Sequence, residues 1–145
     1  MSASTSTRTP STAAPTVPAV ELQNRRVAVG IGLATTSAIH LLDLPGKLKE
    51  TPYLGAAYIV LIIASLVIME RLFVVASRRD FIAAAILGVA VLAAFVINRT
   101  VGMPGATDDI GNWLEPLGLL SLAVESFVVW QASAAVATMT RRVAA

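Results

Sequence analysis

Apolar residues in this chain come in long unbroken runs, and charged residues gather between them. Val27–Leu42, Tyr53–Met69 and Phe81–Ile97 contain no Asp, Glu, Lys or Arg, and Pro116–Thr140 contains one acid, Glu125. In Phe81–Ile97 the residues Ala, Ile, Leu, Val, Gly and Phe go all the way round, with no polar stripe of period 3.6. A helix that is apolar on every side is buried in protein or in a bilayer. About 20 residues of helix cross a hydrocarbon core, within a range of about 17–25. With their interfacial flanks the four runs predict spans at about 26–43, 53–77, 80–98 and 115–138.

The pattern therefore predicts an all-α fold, a transmembrane antiparallel four-helix bundle over residues 25–142. The alternative is three spans, with the first segment lying in the interface. Residues 1–24 are expected to form a disordered cytoplasmic tail. Ser, Thr, Pro and Ala dominate them, and such a segment cannot bury enough surface to offset its ordering entropy.

Connections are read from turn chemistry. Ala76–Asp80 is short, so spans two and three are expected to form a tight antiparallel hairpin. Pro45–Gly46 is expected to turn the first connection. The second, Asn98–Glu115, carries Gly102, Pro104 and Gly105 as turn formers. Thr107, Asp108 and Asp109 are N-cap residues for a short helix or an early start to span four.

Charge fixes an orientation. Arg25 and Arg26, Arg78 and Arg79, and Arg141 and Arg142 fall on one side of four spans. The other side mixes Lys47, Lys49 and Arg99 with Asp43, Glu50, Asp108, Asp109 and Glu115. Basic loops stay inside. The expected location is the cell (plasma) membrane, multi-pass, with both termini cytoplasmic. The net charge is +2. Its bases sit at span ends rather than in a patch, so no nucleic-acid partner is expected. Composition agrees with a membrane setting: 56% apolar and 14% charged residues, against about 25% charged in soluble domains. No cysteine is present, so disulfides, thiolate metal sites and thiol redox chemistry are absent.

Two polar stripes are candidates for chemistry. Gly32, Thr36 and His40 share a face of span one, with Asp43 one turn beyond. Gly118, Ser121 and Glu125 share a face of span four. Small and polar residues in membrane helices turn toward neighbouring helices, so the two stripes are expected to face each other. Glu125 lies ten residues past Glu115, about 15 Å along the helix and near mid-membrane. An ionisable residue there costs about 2.5–3.5 kcal/mol on insertion scales and is a functional candidate. Its bland counterpart is a carboxyl hydrogen-bonded to a neighbouring helix.

Glu125, Ser121, Thr36 and His40 form the expected intramembrane polar or proton site. His40 and Glu125 should differ in depth by about 10 Å, so Thr36, Ser121 or Tyr58 would have to bridge them. His40, Asp43 and Glu115 are weak candidates for a metal. Arg99 is expected to pair with Asp108, Asp109 or Glu115 as a clamp on the long loop. Glu70 and Arg71, late in span two, are expected to sit near the headgroups of the other end, in an interhelical or local ion pair. No nucleotide, nucleophile or metalloprotease motif occurs, so no catalytic residue and no cofactor is assigned.

The strings HLLDLPGKLKETPYLG (His40–Gly55) and NRTVGMPGATDDIGNWLEPLG (Asn98–Gly118) resemble a group of uncharacterised small four-span integral membrane proteins of actinobacterial type. The resemblance covers about Arg26 to Gln131 and implies the four-span fold. A broader likeness to DoxX-like four-helix membrane bundles is architectural, and architecture does not transfer function.

Three functions follow as expectations. The first is a non-enzymatic accessory or assembly subunit, with the lipid bilayer and a homo-oligomer or larger membrane complex as partners. The second is a small transporter or proton/cation-binding bundle using Glu125 and His40. The third is a metal-dependent membrane enzyme. Any site is expected to open outward between the first and last spans.

Overall fold

A computed structural model describes residues 17–144. Four helices make up the fold, α1 (Val17–Glu50), α2 (Pro52–Val74), α3 (Arg78–Thr100) and α4 (Pro116–Ala144). Each is long and apolar enough to cross a membrane. The expected tail falls largely at 1–16, outside the described residues. Its last part does not: α1 begins at Val17, so Val17–Asn24 are helical turns rather than tail.

The first connection also differs from expectation. Pro45 lies inside α1, which runs on to Glu50. A helix-interior proline removes one backbone hydrogen bond and crowds the preceding turn. Contacts beyond it hold the helix together. Leu48 packs so closely on Gly55 of α2 that a Cβ there would lie 2.6 Å from Leu48 Cδ2. Thr51 N–H donates to the Lys47 carbonyl at 2.9 Å, and Leu54 N–H donates to Thr51. Thr51 alone separates the two helices, and Pro52 starts α2 at a position where its missing N–H costs nothing.

Ser77 opens α3 with a capping box, accepting from Asp80 N–H while the Asp80 carboxylate accepts from the Ser77 backbone. Asp80 also accepts from Arg71 Nε at 2.6 Å. This ties the end of α2 to the start of α3, and it is the interhelical form of the ion pair expected at Arg71, with Asp80 as the acid. The 101–115 connection holds no helix, so Thr107, Asp108 and Asp109 cap nothing. Glu115 caps α4 instead: its carboxylate accepts from Leu117 N–H at 2.9 Å and Gly118 N–H at 2.6 Å. Two carboxylate oxygens on two orphan amides, at the positive end of the helix dipole, outcompete the Asp pair upstream.

α1 lies between α2 and α4, and α3 packs on α4, while α2 and α3 touch only lightly. The expected tight hairpin of spans two and three is thus a tether, not a packing unit. Close approach is built elsewhere. A Cβ on Gly32 would overlap Val128 across the α1–α4 contact. One on Gly88 would lie 2.8 Å from Val129 Cγ2 across the α3–α4 contact. The core of Val29, Leu33, Leu72, Phe81, Ala84, Val128, Ala132 and Ala135 fills the half of the bundle away from the 101–115 loop. Burial of the larger of these side chains stabilises by about 1.5–3 kcal/mol each in water. In a bilayer, where lipid tails are as apolar as the side chains, close packing contributes more than burial does. Toward the loop the α2–α3 seam carries Ala57, Ala64, Ala90 and Ala94, which are too small to fill the space between the helices.

Candidate functional site

The two polar stripes meet. Gly32, Thr36 and His40 are buried on α1, and Gly118, Ser121 and Glu125 are buried on α4. Glu125 is 1% exposed. Thr36 Oγ1 donates to Glu125 Oε1 at 2.8 Å, and a Cβ on Gly88 of α3 would lie 3.7 Å from Oε2. An acid thus lies where three helices converge, and its neighbour is a hydroxyl rather than a cation.

His40 is joined to the same threonine from the other side. Its Nδ1 is 2.9 Å from the Thr36 carbonyl oxygen. A carbonyl only accepts, so this bond places the hydrogen on Nδ1 and leaves Nε2 as the lone-pair nitrogen of the neutral ring. The imidazole packs edge-on against Tyr58, with centroids 4.8 Å apart. The Tyr58 hydroxyl donates to Asp43 Oδ2 at 3.2 Å. The series Glu125–Thr36–His40–Tyr58–Asp43 therefore runs from the packed middle toward the loop end. Thr36 is the bridge between the acid and the histidine, through its hydroxyl in one direction and its carbonyl in the other.

An ion network closes the loop end. Arg99, 6% exposed, donates to Asp109 Oδ1 at 2.5 Å and lies 3.4 Å from Glu115 Oε2. Asp109 also accepts from Lys47 Nζ at 3.1 Å and Asn98 Nδ2 at 3.0 Å. Arg99 stacks over Phe95, 5.1 Å from its centroid. Among the described residues no hydrogen bond or ion pair includes Asp108, so the expected clamp uses Asp109 and Glu115 without it. Burial pushes the Asp109 carboxyl up, but hydrogen bonds from Asn98, Lys47 and Arg99 outweigh that and hold it down at about 2. A group held down by folding stabilises the folded state above its unfolded value and loses that contribution as pH falls. The 101–115 loop should therefore loosen between about pH 4 and pH 2. Amide exchange in the loop reports this, and Asp109→Asn should remove most of the pH dependence.

Between these networks lies a cavity of about 510 Å³. His40, Asp43 and Lys47 of α1, Tyr58 of α2, Asn98 and Arg99 of α3, Asp109 of the loop, and Glu115 and Ser121 of α4 form its polar end. Leu54, Leu61, Leu87, Val91 and Phe95 form its apolar wall. Asn98 Oδ1 and Arg99 Nε, on residues of this wall, have no protein partner. The wall residues Ala57 and Val60 on α2 and Ala90 and Ala94 on α3 are exposed, so the cavity opens between α2 and α3. That departs from the expected opening between first and last spans. The Thr36–Glu125 bond and the Arg25–Gln131 bond at 2.9 Å hold α1 against α4.

His40, Asp43 and Glu115 do not assemble into a metal site. Asp43 is bonded to Tyr58 and Glu115 caps α4. Among the described residues no group of three or more His, Asp or Glu is close enough to hold an ion. Sequence reasoning missed Lys47 and Asn98 as partners of Asp109. The signal for Lys47 was present: 36, 40, 43 and 47 share one helical face, and only the expected turn at Pro45 hid it.

Fold and site together define a small bundle of four membrane-length helices with a buried acid–hydroxyl contact and a side-opening cavity. No protein-family model, curated protein or solved structure matches the chain.

Proposed function

We propose that this is a multi-pass plasma-membrane protein that binds a small hydrophobic molecule in its cavity, taken from the bilayer between α2 and α3. In this reading the helices cross antiparallel, both termini are cytoplasmic and the 101–115 loop lies outside. The basic residues Arg25, Arg26, Arg78, Arg79, Arg141 and Arg142 at one set of helix ends support that orientation. The carrying observation is the cavity itself. Its volume of about 510 Å³ falls within the range of about 300–1,000 Å³ for small-molecule sites, and it combines apolar walls with a few convergent polar groups. Glu125 and His40, linked through Thr36, supply a proton- or cation-responsive element beside it, as a small transporter or proton/cation-binding bundle requires.

Native mass spectrometry of protein released from its own membrane tests this reading. A small hydrophobic adduct should accompany the chain and be lost when Ala94→Trp fills the cavity. An adduct-free protein, or one that keeps its adduct after the substitution, overturns it. A non-enzymatic accessory or assembly role is the second reading. It draws support from broad apolar exposure at Val60, Ile63, Val67, Ile86 and Val89, which a partner helix or a second copy can cover as readily as lipid. Recovery of a solitary monomer in mild detergent contradicts it.

A further inference from the structure

We infer that the cavity is built for a lipophilic organic monocation, an amine or onium with an apolar body, held at Asp43. The inference rests on the small-molecule-binding reading above and adds the chemistry of the guest.

Formal charge at the polar end decides the sign. Lys47 and Arg99 are met by Asp109 and Glu115, two cations against two carboxylates. Asp43 remains. Its side chain hydrogen-bonds to the Tyr58 hydroxyl, and none of the ion pairs among the described residues includes it. A half-buried carboxylate that lines the cavity, and whose neighbouring cations are bonded to other acids, favours a guest that brings a positive charge of its own. An anionic guest could reach the unpartnered Arg99 Nε, but Lys47 and Arg99 are already balanced by Asp109 and Glu115, so it would add a second uncompensated negative charge beside Asp43. A neutral guest would bury Asp43 further without compensation.

Shape and surroundings point the same way. Tyr58 at the polar end and Phe95 on the wall both line the cavity; Arg99 already covers one face of Phe95, and aromatic faces attract organic cations. Leu54, Leu61, Leu87 and Val91 accept the apolar body. A lipophilic cation concentrates in the bilayer, beside the α2–α3 opening.

The test uses the full chain in nanodiscs of zwitterionic lipid, with empty nanodiscs as the blank. Three probes of similar size are compared by equilibrium dialysis: tetraphenylphosphonium, tetraphenylborate and triphenylphosphine oxide. Tetraphenylphosphonium should bind saturably at one site per chain. Asp43→Asn should weaken it by roughly tenfold or more, the scale of losing one partner of a desolvated charge pair. Tyr58→Phe keeps the carboxylate and should weaken it much less, which separates lost charge from lost structure. Saturable binding of the anion or the neutral probe with equal strength, or tetraphenylphosphonium binding indifferent to Asp43→Asn, overturns the cation assignment and leaves the cavity reading standing. Absence of saturable binding by all three probes overturns both.

Discussion

Arg99→Ala is expected to destabilise the folded bundle by about 3 kcal/mol, the low end of the cost of removing one partner from a buried ion pair. The guanidinium is 6% exposed and serves Asp109 and Glu115 together. Its removal leaves Asp109 and Glu115 without the guanidinium that they share. The low end applies because Asp109 keeps Lys47 and Asn98. Arg99→Lys should recover about half of the loss, since an ammonium cannot span both acids with a planar fork. Reversible unfolding in mixed micelles measures both variants. A change below about 0.5 kcal/mol for Arg99→Ala, the scale of an exposed surface pair, would mean that the network does not hold the loop.

Glu125→Ala carries the second large effect, about 2 kcal/mol. Part is the lost hydrogen bond from Thr36, about 0.6 kcal/mol on the average for bonds within membrane helices. This loss is small because the Thr36 hydroxyl can turn to its own helix, as Ser37 does toward the Leu33 carbonyl at 3.0 Å. The rest is the void left at the meeting of α1, α3 and α4, since truncating buried side chains costs about 2–5 kcal/mol and this site relaxes partly. Glu125→Gln keeps the volume and an acceptor oxygen and should stay within about 0.5 kcal/mol of the parent. A Glu125→Gln protein that folds normally but no longer moves protons or ions assigns Glu125 a working role. One that folds and works normally leaves it a packing contact.

The four helices were legible because charge-free runs of membrane length admit few other readings. The meeting of the Thr36 and Glu125 stripes was legible for a related reason: polar residues on otherwise apolar helices have only each other to face. Helix ends were less legible. Pro45–Gly46 has the local chemistry of a turn, yet Leu48 packing on Gly55 and the Lys47–Asp109 ion pair carry α1 to Glu50. Those are tertiary contacts, invisible in a local string. The Asp108–Asp109 pair resembled a helix start, but the backbone turns that follow put Asp109 against Arg99 and gave the capping to Glu115. The cavity was not legible at all. It comes from the choice of neighbours, α1 against both α2 and α4, which leaves the Ala-rich halves of α2 and α3 apart. A short connection between α2 and α3 predicts proximity and not packing.

The proposed binding of a small molecule requires a cavity that water and solutes can enter, in the side of a bundle whose other apolar faces meet lipid. Since the chain has no cysteine, single thiols report this directly. N-ethylmaleimide reacts with a thiolate, and a thiolate forms only where water reaches. The decisive measurement is its rate of reaction with Ala57→Cys, Ala94→Cys and Val67→Cys in sealed membranes. Rapid labelling is predicted at 57 and 94, on the cavity wall, and very slow labelling at 67, an exposed apolar position of α2 outside it. Equally slow labelling at all three positions would contradict the cavity, and equally rapid labelling would contradict the membrane around it.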